Sequence, residues 1–292
     1  MIKRWLYKLE PYFYLAPTII GLLLFSAGAV IMSFLISFTK WDVINPPKFI
    51  GFQNYLIIFQ SELFWKIFGN TFYYVILNVP PSIVIPLIIA VLLNQKLKGI
   101  NIFRSIYFLP VISSIVAIAL VWSWLYNPEF GLINYVLKKF FNIDGPRWLE
   151  DENWAMPAMV IMNVWKSMGY NMVLFLASLQ NIPDSLYEVS EIDGASGIKK
   201  FFNITLPLIS PTTFFVFIIT IISSFQVFEQ TYILTKGGPA NSTLTLSYYI
   251  YQNAFLYLRM GYSSALSYIL FGIIFIITLL QFKYQKKWVH YT

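Results

Sequence analysis

The sequence predicts an all-α polytopic membrane protein of six transmembrane helices in a single domain, residues 1–292. Three observations predict it. The composition is 58% hydrophobic and 11% charged, whereas soluble domains carry about 25% charged residues. Mean hydropathy is +0.66. A hydrocarbon core of roughly 30 Å needs about 20 apolar helical residues, and six runs meet that length: 12–38, 71–93, 103–126, 156–179, 208–232 and 262–282. Finally, a charged insert, residues 180–207, interrupts the apolar pattern between the fourth and fifth runs.

The first run follows Lys3 and Arg4 and contains the small residues Ser26-Ala27-Gly28-Ala29, as a signal peptide does. It stays apolar to Phe38, far past a usual signal core, so it is an uncleaved span. Pro17, Pro80, Pro81, Pro86, Pro110 and Pro157 fall inside runs. Membrane helices tolerate such breaks because neighbouring groups re-satisfy the freed backbone.

An even number of spans puts both termini on one side. That side carries Lys3, Arg4, Lys8, Lys96, Lys98, Arg104, Lys199, Lys200, Lys283, Lys286 and Lys287. The positive-inside rule then makes the termini and the 180–207 insert cytoplasmic. The loops at 39–70, 127–155 and 233–261 face outward. Trp122, Trp124, Trp148 and Trp154 near the outer ends fit an interfacial belt. In the 127–155 loop, residues 131–141 have helical apolar spacing with Lys138 and Lys139 on another face, which predicts an interfacial helix. Asp144-Gly145-Pro146 and Lys236-Gly237-Gly238-Pro239 read as turns.

The net charge of +7 lies at the ends of apolar runs, so membrane orientation accounts for it better than nucleic acid does. The chain has no cysteine and one histidine, His290, in the basic tail. Disulfides are excluded, and a metal site built on His and Cys is implausible.

The insert reads DSLYEVSEIDGASGIKKFFNITLP over residues 184–207. Pro183 suits a first helical turn, and Asp184 sits well at the positive end of the helix dipole. Glu188 and Glu191 share a face. Gly194 is a natural stop, because glycine takes the left-handed cap without a Cβ penalty. Ser196 can cap a second short helix carrying Lys199 and Lys200, and Pro207 marks entry to the next span. A helix–turn–helix across the membrane surface results. By charge alone it is equally a solvated surface hairpin.

The spacing goes further. Glu188-Val189-Ser190, three residues, Gly194, nine residues, then Ile204-Thr205-Leu206-Pro207 resembles the EAA loop of ABC importer permeases: Glu-Ala-Ala, three, Gly, nine, Ile-x-Leu-Pro. Val189-Ser190 departs from the two alanines. Trp41-Asp42, Gly51-Phe52-Gln53-Asn54-Tyr55, Phe103-Arg104, Phe108-Leu109-Pro110, Asn127-Pro128-Glu129-Phe130-Gly131, Ile192-Asp193-Gly194-Ala195-Ser196 and Leu234-Thr235-Lys236-Gly237-Gly238-Pro239 resemble the carbohydrate branch of that family. The match runs over nearly the whole chain. It looks like the first of the two permeases in importers of the maltose, multiple-sugar and glycerol-phosphate type, with the type I (MetI-like) permease fold.

The resemblance implies a multi-pass subunit of a bacterial or archaeal inner membrane. It implies an assembly with a second permease, two ATPase subunits and an extracellular solute-binding protein that delivers a sugar. Tyr187, Glu188, Glu191, Asp193, Gly194 and Ala195 would form the coupling helix seated in an ATPase cleft. The chain is then a transport subunit and not an enzyme. It lacks the Gly-x-x-x-x-Gly-Lys-Ser/Thr phosphate loop, so it should not bind ATP itself; no cofactor is expected on this chain, and the resemblance implies that ATP with Mg is bound by the partner ATPases.

Two ionisable residues, Lys166 and Glu229, fall inside predicted spans. A charge at mid-bilayer costs roughly 2.5–3.5 kcal/mol on insertion scales, so such residues usually face an interior or water. Glu229 lies near its span end and can also snorkel outward. Asn163, Ser167 and Asn171 surround Lys166, and Ser223, Gln226 and Gln230 surround Glu229. Sugars need aromatic faces and many hydrogen-bonding groups. By family register, Trp165, Lys166, Tyr170, Thr220, Ser224 and Val227 match pocket-lining positions, Val227 contributing shape. The competing reading is helix–helix packing, which also uses Ser, Thr and Gln.

Among rivals, a secondary transporter binds at the midplane but needs no long docking loop and usually shows ion sites. An intramembrane enzyme lacks a catalytic constellation in the spans. An ABC permease for a non-sugar solute fits the loop but not the flanking sugar-branch motifs.

Overall fold

A computed structural model describes residue 12 and residues 14–95 and 98–290. Lys3, Arg4, Lys8 and Lys96, used above for orientation, lie outside the described residues. The chain divides into two compact units. The smaller comprises the residues through Ser61 together with Ile250–Ile269; the larger comprises Glu62–Tyr249 and the residues from Leu270 onward.

In the smaller unit, α1 (Tyr14–Ser37) is an apolar helix of 24 residues with a π-helical turn at Leu23–Ala27. It leads into an antiparallel pair, β1 (Thr39–Lys40) and β2 (Lys48–Phe49), in which Thr39 faces Phe49. The intervening turn is held by Asp42, whose carboxylate accepts from the Asn45 N–H and side-chain amide, both at 2.8 Å. Those donors hold the Asp42 carboxyl below its ordinary range. The Asn54 amide, near the start of α2 (Gln53–Gln60), donates to Ser37 O at 2.8 Å and Thr39 O at 2.9 Å. It thereby satisfies carbonyls that the end of α1 leaves open. A Cβ on Gly261 would lie 1.8 Å from Thr39 O, so only glycine fits there.

The larger unit is built on α3 (Glu62–Leu93), a 32-residue helix containing Pro80, Pro81 and Pro86. Its main partner is α7 (Ala155–Gln180). Ala90, Leu93, Met172, Phe175, Leu176 and Leu179 fill one core between them. Tyr74, Met156, Met159, Val160 and Val164 fill a second, nearer the start of α7. Between α3 and α7 come α4 (Ile100–Ile112), α5 (Ile115–Leu125) and α6 (Leu132–Phe141). A Cβ on Gly169 would lie 2.2 Å from Tyr107 O, so α4 meets α7 backbone to backbone.

Beyond α7 come α8 (Asp184–Ile192), α9 (Gly197–Leu208) with a π-helical turn at Phe201–Thr205, and α10 (Ser210–Phe225). A π-helical turn at Thr231–Thr235 and α11 (Leu246–Tyr251) follow. The last helix, α12 (Met260–Gln285), contributes to both units.

Among the described residues three helices, α1, α3 and α12, are long and apolar enough to cross a membrane alone. The third expected span, 103–126, is not one helix: α4 and α5 bend by 99°. Ser113 and Ser114 there adopt extended backbone (ψ 144° and 130°), which ends the α-helical hydrogen bonding. The fifth, 208–232, is also interrupted. α9 and α10 bend by 67° at Ile209, between Pro207 and Pro211. α10 stops at Phe225, and the carbonyls freed there accept from side chains instead: Thr245 Oγ1 donates to Val227 O at 3.0 Å and Ser247 Oγ to Phe225 O at 3.3 Å. Counting each bent pair as one span gives five. The fourth expected span is α7, whose 26 residues extend about 39 Å at 1.5 Å per residue. It carries Asn163, Lys166, Ser167 and Asn171 along its length, which lowers its apolarity below that of the others.

Candidate functional site

Where α3, α7 and α10 come together, the polar residues of each converge. Asn78 of α3 and Thr220 and Ser224 of α10 are buried; Asn163 of α7 is partly buried. The side-chain amides form a relay. Gln230 Nε2 donates to Asn163 Oδ1 at 2.7 Å, Asn163 Nδ2 to Asn78 Oδ1 at 2.9 Å, and Asn78 Nδ2 to Ser224 Oγ at 2.8 Å. The Ser224 hydroxyl then donates to Thr220 O at 2.6 Å. A second link, Asn171 Nδ2 to Ser82 O at 2.8 Å, ties α7 to α3 one turn further on. Each amide is oriented by its neighbour, so the wall presents fixed donors and acceptors rather than free rotors. Gln230 Oε1 remains buried without a hydrogen-bond partner.

This wall borders a cavity of about 570 Å³, inside the roughly 300–1,000 Å³ range of small-molecule sites. Lys166, Tyr170, Thr220 and Glu229 line it, together with Asn78, Ser82, Asn163, Ser167, Asn171, Ser223 and Gln230. Four of the seven residues expected at a substrate site are thus together. Lys166 and Glu229 both face the cavity and make no ion pair within 4.0 Å among the described residues.

The other three lie elsewhere. Trp165 stands with its ring 5.6 Å from that of Trp122 and lines a separate hollow with Tyr107, Pro110 and Met168. Ser224 is behind the wall, holding Asn78. Val227 is buried in the core of Tyr74, Met159 and Val164; it follows the end of α10, so a register carried along an unbroken helix does not apply to it. Asn78 and Ser82 line the cavity as well, and neither is among the residues expected from the sequence. The signal was present, as polar residues flanking Pro80-Pro81 in an apolar run, but neutral amides weigh less than charges.

The second candidate site is the hairpin at the C-terminal end of α7. α8 begins at Asp184, directly after Pro183 in extended backbone. Gly194 has φ +70°, the left-handed stop. Gly194 N donates to Glu191 O at 3.0 Å and Ala195 N to Ser190 O at 2.9 Å, closing the helix end. Ser196 Oγ accepts from Lys199 N at 3.4 Å and caps α9. Two side-chain links cross the turn: Lys200 Nζ to Glu191 Oε1 at 2.6 Å, and the Tyr187 and Thr205 hydroxyls at 2.9 Å. Glu188, Glu191 and Asp193 point their carboxylates to the exterior, while Tyr187 packs on the core below and Ala195 is partly buried. Leu186, Val189, Ile192, Ile198 and Phe202 are exposed, Ile192 by 86%. Ser190, where the EAA pattern has alanine, turns its hydroxyl onto Tyr187 O at 2.7 Å and so needs no outside partner.

Among the described residues no group of three or more His, Cys, Asp or Glu could hold a metal ion. The arrangement offers a polar chamber suited to a neutral or mixed-charge solute, and at the far end of α7 a rigid, apolar-edged protrusion.

Residues 57–289 match the family described as the binding-protein-dependent transport system inner membrane component. The chain is 38% identical to the probable ABC transporter permease protein YesP of Bacillus subtilis (strain 168), covering 97% of this chain and 93% of that protein. It is 36% identical to the arabinooligosaccharides transport system permease protein AraP of the same organism, covering 94% and 88%. The fold superposes on a chain of the bacterial alginate ABC transporter, crystallised in complex with alginate pentasaccharide-bound periplasmic protein. The TM-score is 0.84 at 25% identity, covering 95% of this chain and 96% of that one.

Proposed function

The chain belongs to the family of binding-protein-dependent transport system inner membrane components, and from that premise we propose that it is the permease subunit of an ATP-driven importer that carries an oligosaccharide or related sugar into the cell. It is a transport subunit and not an enzyme. The observation that carries the sugar reading is the amide wall of Asn78, Asn163 and Gln230, held from behind by the Ser224 hydroxyl, beside a cavity also lined by Tyr170. Hydroxyl-rich solutes need many fixed donors and acceptors together with an aromatic face. Lys166, Tyr170, Thr220 and Glu229 are the side chains proposed to contact the sugar, with Asn163 and Gln230 beside them.

Residues 184–195, with Tyr187, Glu188, Glu191, Asp193, Gly194 and Ala195, are proposed as the coupling element on the cytoplasmic side, and a six-span topology would put both termini on that side as well. Glu188 accepts a charged hydrogen bond from an ATPase cleft, a class of bond worth about 1.5–3 kcal/mol net. The exposed Val189, Ile192 and Ile198 supply its apolar contact. ATP and Mg are held by two ATPase partners. A second homologous permease completes the pathway, and an extracellular binding protein delivers the sugar.

The test is purification of the chain from its native membrane under mild detergent. Recovery with an ATPase and a second permease is the expected result. Recovery of neither, with sugar uptake unchanged when the gene is deleted, would sink the proposal.

A further inference from the structure

The helix α6 (Leu132–Phe141) has three sides, and the substrate pathway uses none of them. Its inner side is fixed: Ile133 and Leu137 pack against the cluster of Tyr126, Trp148 and Ala158. Asn134 accepts from Trp148 Nε1 at 2.7 Å and donates to Pro146 O at 3.1 Å. Its second side is polar. Lys138 pairs with Asp144 at 2.5 Å, and Lys139 donates to the Tyr135 hydroxyl at 3.1 Å. The third side is an apolar stripe with a four-residue repeat, Leu132, Val136 and Phe140, exposed by 48, 36 and 70%. Since the inner side already anchors the helix, the stripe is surplus to folding.

We propose that the stripe is seated in the acyl–headgroup boundary of the bilayer, on the face opposite the 180–207 hairpin, with phospholipid as its occupant. Two observations favour lipid over a protein partner. α6 packs beside α5, whose Val116, Leu120, Val121 and Trp124 are exposed in the same way, so two neighbouring elements both turn apolar residues outward. The cations also stand on the side next to the stripe and not on the buried side. That is the order of an interfacial helix, apolar residues toward the acyl chains and lysines toward phosphate. Tyr126 Oη donates to Ala158 O at 2.9 Å, which fixes this assembly to the first turn of α7, about 33 Å of helix away from the hairpin end. The inference needs the chain to be in a membrane but does not depend on the solute it carries.

The chain has no cysteine, so single reporters can be placed cleanly. Val136→Cys and Phe140→Cys, with Lys138→Cys as the polar-side control, are labelled with an environment-sensitive fluorophore. The full chain is reconstituted with its co-purifying subunits, their cysteines replaced, in phosphatidylethanolamine–phosphatidylglycerol vesicles. Lipids brominated near the headgroup end of the acyl chain should quench the reporters at 136 and 140 to less than half their emission and leave that at 138 nearly unchanged, while aqueous iodide does the reverse. Quenching at 136 and 140 by iodide alone would show the stripe in water, and quenching by neither would show it covered by protein. Either result overturns the proposal.

Discussion

Asn163 sits in the middle of the amide relay, accepting from Gln230 and donating to Asn78. Its replacement by leucine leaves the Gln230 amide without an acceptor and Asn78 Oδ1 with only the 3.4 Å contact from Ser82. A stranded buried polar group costs about 1–3 kcal/mol. Asn163→Leu is therefore expected to lower the unfolding temperature in detergent and to raise the half-saturating sugar concentration several-fold; an unchanged uptake curve would separate the relay from the substrate path. At this scale the sequence was readable where a residue carried charge. Lys166 and Glu229 stood out because charges in apolar runs are costly, and both line the cavity. Asn78 and Ser82 did not, because an isolated neutral polar side chain inside a long apolar run is also compatible with simple helix packing.

Among elements, the α8–α9 hairpin depends on backbone conformation more than on side-chain packing. Gly194 has open space around it, so a side chain there meets no clash; the cost lies in φ +70° alone. Asparagine tolerates that region and β-branched residues do not. Gly194→Asn should keep most sugar-stimulated ATP hydrolysis, whereas Gly194→Val and Glu188→Ala should abolish it with the subunit still present in the membrane. Equal activity in the asparagine and valine forms would remove the geometric role of the turn. This hairpin was legible almost residue by residue, because its start, stop and cap are local signals. The broken spans were not. The end of α10 at Phe225 is stabilised by Thr245 and Ser247, a tertiary arrangement invisible to a reading of local apolarity. The bend at Ser113-Ser114 likewise lies within an apolar run that satisfies every criterion for one helix.

For the molecule as a whole, the arrangement of crossings makes a claim about sidedness. If the hairpin is cytoplasmic, then the Asp144 turn, beyond the other end of α7, lies outside. In intact cells stripped of any outer barrier, a membrane-impermeant maleimide should label Asp144→Cys and spare Ile192→Cys until the membrane is opened. The opposite pattern would invert the topology. The six apolar runs were legible because span length is fixed by bilayer thickness, but contacts between residues far apart in the chain were not. One such contact reaches furthest. Gly261 presses against Thr39 O, its N–H meets Trp41 O at 3.4 Å, and Tyr268 donates to Val30 O. The end of α1 is thus met twice, by α2 just after it and by α12 far along the chain. Because α1 and α12 lie at distant points of the sequence, their contacts form only after the helices between them have been made. Chains truncated before Met260 lack these contacts and are expected to be cleared by membrane proteases far faster than the untruncated chain in a pulse-chase; equal lifetimes would show that α1 is held well enough without α12.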